Sequence, residues 1–70
     1  MRKKKFICSY NKCVVDIDIN CGELTVSTLI ECKEVEIIDN QTIKADGKEV
    51  VFISGEIESI YINDKEVWTK

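Results

Sequence analysis

Four cysteines, Cys8, Cys13, Cys21 and Cys32, are the residues of this chain best equipped for chemistry. Thiolates ligate zinc, pair as disulfides or act as nucleophiles. A structural zinc site draws on two close cysteine pairs presented by tight knuckles. Here four residues separate Cys8 from Cys13, but ten separate Cys21 from Cys32. Cys13 and Cys21 also end one alternating segment, which as a strand would hold them about 26 Å apart. The spacing argues against a metal. Cys8 and Cys13 suit a disulfide better: with Ser9 to Lys12 as a turn they lie opposite, near the ~5.5 Å Cα separation a bridge requires. Without a secretion leader, however, the expected compartment is reducing, and cysteine there acts as a small buried hydrophobe. Four free thiols are therefore expected. A redox-sensing pair would need a lowered thiol pKa, and only the lysines near Cys8 could supply it.

Other chemistry has little to work with. The chain has no histidine, so the usual general base and metal ligand are missing. Its serines lack a base, and no glycine-rich loop precedes a helix. Asp16 and Asp18, like Glu34 and Glu36, are two apart and share a strand face, which describes the wet side of an amphipathic strand better than a catalytic pair. No enzymatic activity and no cofactor are expected.

Charge is distributed unevenly. Residues 1–13 carry Arg2, Lys3, Lys4, Lys5 and Lys12 without an acid, whereas residues 14–70 set five lysines against thirteen acids. A basic arm over residues 1–5 on an acidic domain over 6–70 could hold phosphate, dock on its own body or be solvated. The acidic body makes nucleic acid an improbable partner, because phosphate neutralisation dominates that affinity. It suits a basic protein partner, met by Asp16, Asp18, Glu34, Glu36, Glu56 and Glu58 with Tyr61 and Trp68 as anchors.

The apolar run Phe6-Ile7-Cys8 after the lysines is too short for a signal peptide, which needs roughly 7–15 such residues. No later run approaches the ~20 of a membrane helix. The chain reads as cytoplasmic and complete.

The elements that position these residues are strands. Asp46-Gly47 between β-branched residues marks a two-residue type I′ hairpin. Its register sets Ala45 against Lys48, Lys44 against Glu49, Ile43 against Val50 and Thr42 against Val51. Cys13, Val15, Ile17, Ile19 and Cys21 alternate with Asp16, Asp18 and Asn20, a half-buried strand at period two. Cys21-Gly22-Glu23 turns the chain into an antiparallel return in which Leu24, Val26, Thr28, Ile30 and Cys32 share a face. Residues 29–38 could be helical, but the alternation of Glu34-Val35-Glu36-Ile37 favours a strand. Residues 6–10, 57–62 and 66–68 complete an all-β fold of about 6–7 short strands, an antiparallel sandwich, roll or barrel. As a meander, it would pair mainly sequence neighbours. Val50 to Ile53 are consecutively apolar, which in a strand puts apolar groups on both faces. Val51 and Ile53 are thus the expected interface of a homo-oligomer.

The function these features suggest is non-catalytic binding, in the manner of a small phage or mobile-element accessory or inhibitor protein. Two alternatives are a nucleotide or small-ligand binder at a subunit interface, with Arg2 to Lys5 holding phosphate, and a structural decoration subunit.

Overall fold

A computed structural model describes residues 4–8 and 12–70. The chain is all-β: β1 (Lys4–Ile7), β2 (Cys13–Asn20), β3 (Thr25–Cys32), β4 (Glu34–Ile37), β5 (Thr42–Ala45), β6 (Lys48–Val51), β7 (Glu56–Ile62) and β8 (Lys65–Thr69). Eight strands thus form where about six or seven were expected. They build two four-stranded antiparallel sheets, ordered β1-β4-β5-β6 and β3-β2-β7-β8. No helix of the described residues is long and apolar enough to cross a membrane.

The central hairpin has the register that its turn residues dictate, Ala45 opposite Lys48 through Thr42 opposite Val51. Asp46 and Gly47 take φ of 50° and 80°, as a type I′ turn requires. Asn63 and Asp64, at φ 50° and 68°, repeat the device between β7 and β8. In β2, Cys13, Val15, Ile17 and Ile19 are all buried, so the alternation read from the sequence is the alternation of burial. Residues 29–37 are strand on both sides of a bend at Lys33, and Ile38 lies just beyond β4.

Two pairings break the expected meander. β1 pairs with β4 and β2 with β7, neither a sequence neighbour. The reason lies in one bent ribbon. β1 followed by β2 forms one limb, and β3 followed by β4 the other. The β1–β4 register extends through a hydrogen bond from the Cys8 N–H to the Lys33 carbonyl (3.0 Å), and the β2–β3 register resumes with Cys13 opposite Cys32. Strands that pass between sheets at such a bend let one ribbon serve both layers. Inward residues from both sheets, among them Val15, Ile17, Val35, Ile37, Ile43, Ile57 and Ile60, pack in one core. Burial of these side chains, eleven among the described residues, is the main source of stability in a chain this small.

The cysteine expectation needs correcting. Cys8 and Cys13 are bridged, with their Cα atoms 5.6 Å apart. The pairing geometry anticipated from sequence holds, but the bridge joins the ends of strands in different sheets. The turn expected at Ser9 to Lys12 lies largely outside the described residues. Cys21 and Cys32 are free, and Cys32 is directly opposite Cys13.

The run Val50 to Ile53 also differs from expectation. β6 ends at Val51, so only half the run is strand. Val50 and Phe52 pack toward the core, while Val51 and Ile53 are 50% and 88% exposed. The Phe52 N–H donates to the Gln41 carbonyl (2.7 Å), which carries the hairpin register one pair beyond Val51 before the chain turns away.

Candidate functional site

The two sheets present outer faces of different electrical character. Across the β1-β4-β5-β6 sheet, Lys5, Glu36, Lys44 and Glu49 stand in one row, each opposite a residue of the other sign. Lys5 Nζ also lies 3.5 Å from Glu34 Oε2. Opposite charges side by side on a sheet attract and cancel each other's field. Glu34 and Glu36 are therefore offset by lysines in place. Lys4 and Lys5, assigned from charge to a basic arm, are strand residues of β1. Arg2 and Lys3 lie outside the described residues.

The outer face of the β3-β2-β7-β8 sheet is acidic. One row runs Leu29, Asp16, Tyr61, Glu66, and the next runs Ser27, Asp18, Ser59, Thr69. Glu31 stands opposite Val14 beside them. No lysine is opposite Asp16, Asp18, Glu31 or Glu66 in this register. Asp18 is held rigidly: Ser27 Oγ donates to its Oδ1 (2.7 Å) and Ser59 Oγ to its Oδ2 (3.1 Å). Tyr61 donates its phenol proton to Glu66 Oε2 (3.1 Å). That bond, with the negative charge of Glu66, raises the Tyr61 pKa above its ordinary value. Asp16 lies between Leu29 and Tyr61, and its Oδ1 is enclosed with no hydrogen-bond donor among the described residues. Buried polar atoms are nearly always paired, so this oxygen marks unspent acceptor capacity at the centre of the face.

The sequence-derived residues thus separate. Asp16, Asp18 and Tyr61 come together on the acidic face. Glu56 joins its margin but is paired with Lys70 at 2.7 Å, an ion pair that raises the Lys70 pKa. Glu58 falls at an irregularity in the β2–β7 ladder and is half-buried. Trp68 faces Ile60 and packs against the core, away from the acidic surface. Val14, Leu29, Glu31 and Glu66 belong to the face and were not singled out from sequence. Counting outward from the Gly22 turn, with Asn20 opposite Thr25, would have placed Leu29 and Glu31 beside Asp16 and Val14.

A second feature lies where β1 and β8 approach. A groove of about 490 Å³ is lined by Lys4, Lys5, Phe6, Lys65, Glu66 and Val67. Compared with known protein families, curated proteins and solved structures, the chain matches none.

Proposed function

We propose that this protein is a non-catalytic binding module that engages a basic protein partner through the acidic outer face of the β3-β2-β7-β8 sheet, and that it associates with copies of itself. The observation that carries this reading is the segregation of charge: one outer face is self-neutralised, and the other has acids facing apolar or hydroxyl neighbours. Asp18, already fixed by two serines, costs little to immobilise when a cation arrives, and the exposed Leu29 with half-buried Tyr61 offers apolar contact beside it. A lysine or arginine docked over the face would be drawn by the charge of the Asp16 carboxylate, although its Oδ1 is itself enclosed. A role as a small accessory or inhibitor protein, of the kind phages and mobile elements encode, fits a chain with this much surface and so little chemistry. The Cys8–Cys13 bridge counts against a cytoplasmic placement, since such bridges persist chiefly under oxidising conditions.

The test is binding to a panel of purified basic proteins and lysine-rich peptides over a salt series. Asp16→Asn with Asp18→Asn, and separately Glu31→Lys, should weaken binding at low salt and flatten its salt dependence. Lys44→Glu, on the other face, should not. Equal affinity for all variants would refute the acidic face as the contact surface.

The groove favours a second reading, a phosphorylated small ligand held by Lys4, Lys5 and Lys65. Removing residues 1–5 would cut into β1 and confound loss of the lysines with loss of the strand. Lys4→Glu with Lys65→Glu is better: loss of nucleotide or phosphate binding with unchanged far-ultraviolet circular dichroism supports it.

A further inference from the structure

The four sheet edges are unequal. β1 and β6 are four residues long, β1 begins Lys4-Lys5 and β6 begins Lys48-Glu49. β8 carries Lys65 and Glu66 and an irregularity where it passes Val67. Shortness, lysines and bulges are the devices by which proteins keep sheet edges from pairing with other chains. β3 has none of them. Its eight residues, Thr-Val-Ser-Thr-Leu-Ile-Glu-Cys, contain no lysine, proline or glycine, and its pairing with β2 runs unbroken from Thr25 to Cys32. The opposite side of β3 has no strand partner among the described residues.

Its inward side chains are also incompletely covered. Cys32 is 3% exposed, Ile30 is half-buried, Val26 is 45% exposed and Leu24 is 71% exposed. The apolar stripe anticipated on this face therefore runs off the edge of the core toward the Gly22 turn.

We propose that β3 is the seam of a homodimer, in which two copies pair antiparallel through β3 about a two-fold axis at Thr28 and join their sheets into one of eight strands. This deepens the self-association included in the proposed function and moves its seam from Val51 at the end of β6 and Ile53 beyond it to β3. The register follows from side-chain chemistry. A two-fold axis perpendicular to the sheet keeps inward residues inward, so partners must share a face. With the axis at Thr28, Val26 of each copy meets Ile30 of the other, Leu24 meets Cys32, and Thr25 meets Glu31. Apolar residues face apolar ones, and no like charges are opposed. An axis at Ser27 would set Glu23 against Glu31, two like charges. An axis at Leu29 would set Leu24 against a residue beyond the bend at Lys33. The Thr28 register also lays the two acidic outer faces side by side, with Leu29 opposite Ser27 across the seam.

The experiment is analytical ultracentrifugation of the wild type, Val26→Lys and Val51→Lys, with hydrogen exchange of the wild type over a dilution series. The expected result is a wild-type dimer, a monomer for Val26→Lys, and a dimer for Val51→Lys. Alternate amides of β3, those pointing away from β2, should lose protection on dilution while β6 is unchanged. Should Val26→Lys fail to fold, the wild-type exchange pattern decides the matter by itself. A monomeric wild type overturns the seam, as does a dimer lost in Val51→Lys or one whose protection lies on β6. A monomer that still binds basic probes removes the seam and leaves the acidic-face reading; a β3 dimer that binds none of them supports the seam and removes that reading.

Discussion

Asp46 does two jobs at once. Its backbone occupies the left-handed region at φ 50°, and its Oδ1 accepts from the N–H groups of Lys33 (2.9 Å) and Glu34 (3.0 Å). The central hairpin turn thereby ties down the bend where the ribbon changes sheet. Asparagine tolerates that backbone and keeps an acceptor, whereas alanine keeps neither advantage. Asp46→Ala should cost about 3 kcal/mol in urea unfolding, from the usual ~1 kcal/mol for each of these two hydrogen bonds and a similar backbone strain, and Asp46→Asn about 1 kcal/mol. Equal stability of the two variants would mean that the acceptor and the backbone tolerance that asparagine retains contribute nothing. Beside it, burial pushes the Cys32 thiol above its ordinary range, and the charges of Asp46 and Glu34 add to the shift. Iodoacetamide at neutral pH should therefore label Cys21 well before Cys32, as read by peptide mass mapping; equal rates would place Cys32 at the surface. Asp39 shifts the other way, lowered first by the hydrogen bond from the Gln41 N–H. A carboxylate with a depressed folded pKa stabilises the fold above its unfolded value, ordinarily 3.8, and loses that contribution as pH falls through the folded one. Asp39→Ala should accordingly flatten the acid limb of the stability profile below that value.

At the scale of elements, the glycine before β7 shows what the sequence could and could not disclose. Gly55 reads from sequence as a break between strands, and it is one. The stronger constraint is tertiary: a Cβ there would run into the Asn20 carbonyl and press on Ile19. Gly55→Ala should destabilise by roughly 2–3 kcal/mol, the scale of overpacking against backbone that cannot yield, measured by thermal or urea unfolding. A cost within a few tenths of a kcal/mol of wild type would mean that β7 can retreat from β2. Local chemistry made most of the elements legible. Asp46-Gly47 and Asn63-Asp64 specify their turns by backbone tolerance, and the period-two burial of β2 follows from its residue types. Pairings between distant segments left no such mark. Ile57 and Ile60 are apolar residues of a strand, and nothing local says that they lie against Ile19 and Ile17 rather than against the neighbouring hairpin. The acidic face was half legible for the same reason: Asp16 and Asp18 share a face by alternation, but Tyr61 and Glu66 join them only through the β2–β7 pairing. Glu34 and Glu36 look equivalent to them in sequence, and only the β1–β4–β5 register reveals their lysines.

For the molecule as a whole, the critical place is the bend where the ribbon leaves one sheet for the other. Two ties hold it on the limb of β1 and β2, the Cys8–Cys13 bridge and the hydrogen bond from the Cys8 N–H to Lys33, while Asp46 fixes the opposite limb. A chain of this size has little core to spare, so a cross-link between its layers weighs heavily. The loop closed by the bridge is short, and the chain-entropy model gives it roughly 2 kcal/mol. At roughly 4–8 °C per kcal/mol for a domain this small, reduction should lower the melting temperature by about 10 °C. Calorimetry with and without reductant, beside a Cys8→Ser/Cys13→Ser variant, measures it. If the bridge acts by restricting the unfolded chain, the variant and the reduced wild type should melt together and below the oxidised protein. An oxidised protein that melts no higher than the variant would assign the bend to its hydrogen bonds alone. It would also reopen the reading of Cys8 and Cys13 as free thiols, and with it the argument that the bridge makes against a reducing compartment.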